Sequence, residues 1–536
     1  RRSTPLHSRE HAPLKTLIPA AALPATAMDT GVPALPLNPV IAAMFRHLGL
    51  DPAEVEGFLS YTHYALPEPP VTADARLFAL LPGDSVDRLS RLPDALLGNI
   101  VSRIPVKDAA RTAALSRRWR GVWRSAPLVL VDSHVHPAGT AYAQRVTCAV
   151  SRVLAAHPGP FRCVHLTESP LLAGWLQIVA GKGIQELVLV NRPWPLEIFL
   201  PSTFLGMETL TRLYLGLWVF PVTADLPRAT CFPNLLELGL CNVIMKSISD
   251  LDFILDRSPV LETLCLEGEM FEHCIRLVSQ SLRRVQIIGC WVEEIFVVDA
   301  PCLERLIQSG GWSPEDHDGN RTKVKIGHAP KLHMLGYLEL DPGHVLEVGN
   351  TIIKAGARVS PSTMVPSVGI LALEVRFGVR NHAKMVPNVL RCFPNVETLH
   401  IKSAKTDRST GKLNLKFWHE CGVIECIRSR IKLLVFHDFR GGRAEIAFLK
   451  YFFETALVLK KVVILFAVGF SSTTEEAQSK LSSLGSVKRA SETSTVLVTV
   501  PSDPEVGSIR SFKIGSGFSA DDPFANGFAK SHLDEI

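Results

Sequence analysis

An L-x-x-L-x-L frame, with aliphatic or aromatic substitutes, recurs about ten times after Trp123, and no other feature constrains the fold of this chain as tightly. Clear copies run Phe161, Val164, Leu166; Ile184, Leu187, Leu189; Leu210, Leu213, Leu215; Leu235, Leu238, Leu240; Leu261, Leu264, Leu266; and Leu282, Val285, Ile287. Weaker copies follow at Leu303 and Leu306, Leu332 and Leu335, Val368 with Leu371 and Leu373, Val396 with Leu399 and Ile401, and Ile431 with Leu434 and Phe436. Between fourth positions the first intervals are 23, 26, 25, 26, 21 and 21 residues, and later ones stretch to 36. The fourth and sixth residues of a frame lie two apart on a strand and point inward, while the third and fifth point to the other face. Each unit is then one strand plus a return segment. It cannot bury its own apolar edge, so neighbouring units must stack into a curved solenoid.

Repeat lengths of about 20 to 29 residues are those of leucine-rich repeats. In such a stack the third and fifth positions form adjacent solvent-facing rows on the concave side, where solenoids hold partners. Glu186, Arg212, Glu237, Thr263, Arg284 and Arg305 fill the third positions, and His165, Val188, Tyr214, Cys265 and Gln286 the fifth. Arg and Tyr are over-represented at interaction hot spots, so Arg212, Tyr214 and Arg284, together with Glu237, are the expected contacts to a protein substrate.

Ahead of the repeats, Asp87 to Trp123 reads as three short helices with more apolar surface than so small a unit can bury alone. Pro93 and Asp94 suit a first helical turn and Pro105 forbids continuation, which predicts a helix of about twelve residues. Leu92, Leu96, Leu97, Ile100, Val101 and Ile104 make one broad apolar face on it. A second helix is expected from Asp108, rich in Ala109, Ala110, Ala113 and Ala114. A third, after Ser116, sets Trp119 and Trp123 on one face among Arg117, Arg118, Arg120 and Arg124.

This segment resembles an F-box: Leu92-Pro93, the Leu96-Leu97 and Ile100 stripe, Ile104-Pro105-Val106-Lys107-Asp108, Ala113, Leu115-Ser116, then Arg118-Trp119 with Trp123. The resemblance implies docking on the small adaptor of cullin-RING ubiquitin ligases, through Leu92, Pro93, Leu96, Leu97, Ile100, Ile104, Pro105 and Leu115, with Trp119 partly structural.

From Glu425 to Leu465 the pattern predicts a strand ending at Phe436, a break at Gly441-Gly442, a helix from about Glu445 and a strand after Lys461. Leu434, Phe439-Arg440-Gly441, Glu445, Phe453 and Ala456-Leu457 with Leu459-Lys460 resemble an FBD domain. With the F-box and the repeats in that order, the whole resembles the plant F-box/leucine-rich-repeat/FBD family. The expected domains are a variable or partly disordered region over 1–86, an F-box over 87–126, a solenoid over 127–420, an FBD-like unit over 421–470 and a tail, part extended and part disordered, over 471–536. The fold class is α/β: a short helical F-box, a solenoid of parallel strands, and a C-terminal α/β unit.

Composition excludes more than it assigns. With 57 basic and 52 acidic residues the formal charge is only +5, too small and scattered to argue for nucleic acid or a membrane surface. No stretch approaches the roughly twenty apolar residues of a membrane span, and Val462 to Phe470 reads as a buried strand. Eleven cysteines without a CxxC pair read as free thiols in a reducing compartment, which makes the expected setting intracellular, cytoplasmic and/or nuclear. Cys421 with Cys426, and His134 with His136, lack the further ligands of a metal site, so neither metal nor cofactor is expected. Residues 1–27 carry Arg1, Arg2, Arg9 and Lys15 against Glu10 and read as a transit peptide or a translated leader, with a native start at Met28. There is no G-x-x-x-x-G-K-[ST], G-x-S-x-G or H-E-x-x-H, and Gly181-Lys182-Gly183 reads as a turn. The expected function is that of a non-catalytic substrate receptor of an SCF-type ligase. Alternatives are a scaffold outside the ligase, or a receptor whose substrate surface a ligand completes.

Overall fold

The computed structural model describes residues 89–499 apart from 133–141, 168–170, 192–197, 224–225, 227–229, 269–273, 291, 310–322, 341–344, 350, 354–363, 406–412, 468–479 and 486. All of these lie within Leu66–Ile536, one compact unit. The expectations for residues 1–27, Met28, His134 and His136 fall outside the described residues.

Three helices open the described chain: α1 (Asp94–Val101), α2 (Val106–Thr112) and α3 (Arg117–Ser125). Pro93 and Pro105, with φ of −57° and −53°, stand immediately before α1 and α2, where a missing N–H costs nothing. The first helix therefore has 8 residues rather than about twelve, and the second begins two residues before Asp108. Ser116 starts α3 by accepting the Trp119 N–H at 3.3 Å. The unit has no private core. Leu97, Val101, Ala109, Trp119 and Val122 belong to the same buried cluster as the sheet that follows.

That sheet begins with β1 (Leu128–Val131), then, after α4 (Tyr142–Ala156), β2 (Phe161–Thr167). It continues past α5 (Leu172–Ala180) with β3 (Glu186–Val190), β4 (Arg212–Gly216) and β5 (Glu237–Cys241), then, after α6 (Ile248–Asp256), β6 (Thr263–Glu267). From there successive strands alternate between two sheets. β8 (Arg284–Ile288), β10 (Arg305–Ser309) and β12 (Met334–Glu339) extend the first, while β7 (Cys274–Val278), β9 (Glu294–Asp299), β11 (Lys323–His328), β13 (Leu346–Val348) and β14 (Thr351–Ile353) build a second. The expectation of one strand plus a return segment is thus incomplete, because the middle repeats carry a strand on each side. Ile275 with Leu277, Ile295 with Val297, and Val324 with Ile326 supply the alternating apolar residues that seal this second sheet onto the core.

The first sheet resumes with β15 (Ile370–Val375) and, after α7 (Arg380–Ala383) and α8 (Met385–Cys392), β16 (Thr398–Ser403). Past α9 (Leu415–Glu420) and α10 (Glu425–Ser429) come β17 (Leu433–Phe439), α11 (Arg443–Thr455), β18 (Lys461–Phe466) and finally β19 (Thr495–Thr499). All fourteen strands of this sheet follow chain order, and every pairing within it is parallel. The register puts the fourth position of each frame opposite the next, from Val164 through Leu187, Leu213, Leu238, Leu264 and Val285 to Leu306. The ladder runs on through Leu335, Leu371, Leu399 and Leu434 to Val462 and Val496.

Two expectations about the C-terminal part change here. The strand expected to end at Phe436 continues to Phe439, and the α/β unit is not separate, since β17 and β18 continue the repeat sheet. The C-terminal segment, expected to be part extended, supplies β19. Glu445, 4% exposed, fixes the entry to α11: its carboxylate accepts the Gly442 and Arg440 N–H groups at 2.7 and 3.2 Å and the Ser403 hydroxyl at 2.5 Å. Burial pushes that carboxyl above its ordinary range despite these donors. Behind it Phe448 packs against Phe436, Phe377 and Trp418.

The helical unit is fixed to the sheet at several points. Pro105 forms a bridge with Val129, and Arg162 Nε donates to Ser102 O at 3.2 Å. His157 is fully buried, its ring edge-on to both Trp123 and Phe161 with centroids 5.2 Å apart. Lys182 Nζ donates to the Leu154 and His157 carbonyls. A Cβ at Gly159 would stand 2.6 Å from the Arg124 carbonyl, so only glycine allows the two segments this close.

Candidate functional site

Two surfaces carry the residues singled out from the sequence. On the helical unit, consecutive positions of α1 are about 100° apart, so one broad stripe divides into two faces. Leu97 and Val101 point inward and are fully buried, while Leu96 is 52% and Ile100 37% exposed. Leu115, between α2 and α3, is 67% exposed, and Pro93 is exposed as well. Leu92, Ile104 and Pro105 are half-buried. Trp119 is buried, its indole N–H donating to Ser90 Oγ at 3.0 Å. Leu97, expected among the adaptor contacts, therefore serves the interior instead, and Trp119 has the structural part expected of it.

Leu89, just before α1, was not singled out from the sequence because it precedes the periodic stripe, yet it is exposed beside the same helix. Arg118 holds that approach in place: its guanidinium donates to Asp94 Oδ1 at 2.7 Å, to Leu92 O at 2.5 Å and to Ser90 O. Arg103, Lys107, Arg111, Arg117 and Arg120 are exposed around the unit. The result is apolar surface with a basic margin, suited to an apolar partner with acidic surroundings.

The second surface is the strip of third and fifth positions on the long sheet, which forms small clusters separate from the main core. It departs from the solvent-facing expectation. Tyr214 is 1% exposed, and Glu237, Thr263, Cys265 and Gln286 are buried. Parallel strands in register bring each large side chain over the next, so the rows cover themselves. Arg212 remains exposed and is held by two carboxylates, Glu186 at 3.4 Å and Glu237 at 3.3 Å, while the Tyr214 hydroxyl donates to Glu237. Arg284 is half-buried and its Nη1 donates to Thr263 Oγ1 at 3.3 Å.

One position further along the same face stands Glu267, which the six-residue frame did not reach. Burial pushes its carboxyl up to about 7. The Cys265 thiol is pushed up first by burial and then by Glu237 and Glu267, so it is inert as a nucleophile.

Elsewhere, a shallow groove of about 560 Å³ follows the residues that precede β3 to β6. Two of its polar side chains are turned to the backbone: Thr209 Oγ1 donates to Ile184 O at 2.6 Å and Asn234 Nδ2 to Glu208 O at 2.9 Å. Cys421 and Cys426 bond to different carbonyls, Phe417 O and Leu390 O. Among the described residues no group of three or more His, Cys, Asp or Glu side chains is placed to hold a metal ion, and no helix is long and apolar enough to cross a membrane.

Three family models match the chain in the order of these parts. The F-box domain model matches residues 89–130, a model described as the LRR repeats of FBD-associated F-box protein At5g56370 matches 172–401, and the FBD model matches 419–464. The chain belongs to the plant F-box/LRR/FBD family. Among its relatives in Arabidopsis thaliana, F-box/LRR-repeat protein At3g26922 is 28% identical over 49% of this chain and 78% of that protein. F-box/LRR-repeat protein 13 is 25% identical over 77% of this chain and 97% of its own length. FBD-associated F-box protein At4g10400 is 24% identical over 71% and 92%. In these terms the exposed apolar surface lies on the F-box, the strip on the repeats, and β17, α11 and most of β18 fall in the FBD match.

Proposed function

We propose that this F-box/LRR/FBD protein is the substrate-receptor subunit of an SCF-type cullin-RING ubiquitin ligase. The F-box holds the small adaptor, and the leucine-rich repeats hold a protein substrate. The reading rests on one observation above the others: the F-box turns Leu97, Val101 and Trp119 into the core it shares with the sheet and still leaves Leu96, Ile100 and Leu115 uncovered. Apolar side chains grouped on so short a segment are stable in water but gain most when a partner covers them. The docking set is accordingly Leu89, Pro93, Leu96, Ile100 and Leu115, with the half-buried Leu92, Ile104 and Pro105 supporting them.

The subunit supplies no reacting group in this reading. It raises the effective concentration of substrate lysines beside a ubiquitin-conjugating enzyme held by the same assembly. The setting is intracellular, cytoplasmic and/or nuclear. Capture of the full chain by purified adaptor tests the proposal, with Leu96→Asp and Leu115→Asp beside the parent and circular dichroism as the folding control. The parent is captured and the folded variants are lost. If the folded parent is not captured, the ligase reading fails and a scaffold role outside the ligase replaces it.

A further inference from the structure

The strip carries its charge in two blocks with opposite habits. Around β3 to β5 donors and acceptors close on one another, because Glu186, Arg212, Glu237 and Tyr214 form one connected network. Around Arg284 on β8 they do not. Arg284 and Arg305 are register partners on adjacent strands, so two guanidinium groups stem from neighbouring points of the same row. Among the described residues Arg284 forms no ion pair: its Nη1 meets only a hydroxyl, and its Nε is buried without a partner. Gln286, two residues along the same face and 7% exposed, likewise has its Oε1 buried without a partner. Polar atoms so placed are rare in folded proteins unless something outside the chain completes them.

The nearby acids on this face do not complete them. Glu237, on β5, is committed to Arg212 and Tyr214. Glu267, on the adjacent β6, responds to burial alone, with no arginine acting to keep it ionised, and its own Oε2 has no partner. Cys265, the register partner of Gln286, is a protonated thiol.

We propose that Arg284 and Gln286 form a subsite for the carboxylate of an aspartate or glutamate in the substrate protein. The inference rests on the receptor reading above and names the chemistry of what is received. The carboxylate takes the guanidinium of Arg284 in the two-pronged geometry that arginine offers. The Gln286 amide oxygen accepts an N–H of the same substrate segment. With Arg284 as its one cation, the subsite matches a singly charged carboxylate rather than a doubly charged phosphate.

The test uses the full chain with labelled peptide pools rich in Asp and Glu, in phosphoserine, in Lys, or in Asn and Gln. The acidic pool binds about tenfold more tightly than the Asn and Gln pool, and the margin shrinks as salt rises. Arg284→Gln brings the acidic pool down to the neutral level, and Arg284→Lys restores part of it. Equal binding of the acidic and neutral pools, preference for phosphoserine or lysine, or undiminished acidic binding by folded Arg284→Gln overturns the subsite. Adaptor capture by the same proteins separates the two proposals. Acidic peptides bound without adaptor capture leave the subsite standing and remove the ligase reading; adaptor captured without acidic preference does the reverse.

Discussion

The F-box surface and the repeat strip treat their side chains in opposite ways. The F-box leaves Leu96, Ile100 and Leu115 in water on three short helices, with their neighbours Leu97, Val101 and Trp119 turned into the shared core. The strip does the reverse, burying Tyr214, Glu237, Cys265 and Gln286 beneath one another. On the first surface the informative residues are those that nothing covers. On the second they are those whose neighbours fail to satisfy them. Under the proposed function, exposure alone marks the docking face in one region and misleads in the other.

Substitutions at adjacent leucines break this comparison most severely. Leu97→Ala opens a cavity in the common core and costs about 2 to 5 kcal/mol in chemical denaturation. Leu96→Ala changes stability by less than about 1 kcal/mol yet weakens adaptor capture. Equal stability losses at the two positions would mean that the stripe is not divided. On the strip, Tyr214→Phe leaves Glu237 without its hydroxyl donor and costs about 1 to 3 kcal/mol in the same measurement.

Acid and base response sharpens the contrast between the strip and the junction behind the F-box. Glu267 has a folded value of about 7 against an ordinary 4.5, so the native state binds more protons than the unfolded chain. The stability this adds is complete below about pH 4.5 and is lost as pH rises through about 7. Glu267→Gln removes that decline. His157 has the opposite sign, because burial lowers its value below 6.5. Its contribution is present above pH 6.5 and is lost as pH falls through the lowered value. Denaturant unfolding followed on both sides of pH 6.5 gives slopes of opposite sign when each residue is replaced. The smallest effect belongs to the exposed pair Asp108 and Arg111, 2.8 Å apart. Asp108→Asn shifts stability by less than about 0.5 kcal/mol.

The leucine ladder was legible before any coordinates, because a frame residue that must face inward must also meet its counterpart in the next repeat, as Leu213 meets Leu187 and Leu238. The second sheet was not. Its strands fall between frames, and short runs such as Lys323–His328 alternate too briefly to stand out from a return segment. The division between Leu96 and Leu97 was hidden as well, since a period of 3.6 residues locates a broad stripe without saying which half meets the core. The burial of the strip escaped because alternation assigns a face, whereas burial on that face depends on how wide the neighbouring side chains are. Tyr214 over Glu237 is a fact of two repeats, not of one.

The bridge between Pro105 and Val129 has a consequence for the solubility of the chain. β1 is a run of four aliphatic residues, all buried, and it is the terminal strand of a fourteen-stranded sheet. A bare strand of that kind is a template for pairing with other chains. The F-box shields it with a proline, which has no N–H to offer an incoming strand. Cleavage that removed the F-box and kept the repeats would therefore yield a fragment that self-associates through Leu128–Val131, so the same short unit that leaves Leu96, Ile100 and Leu115 in water also protects the repeats from pairing with copies of themselves.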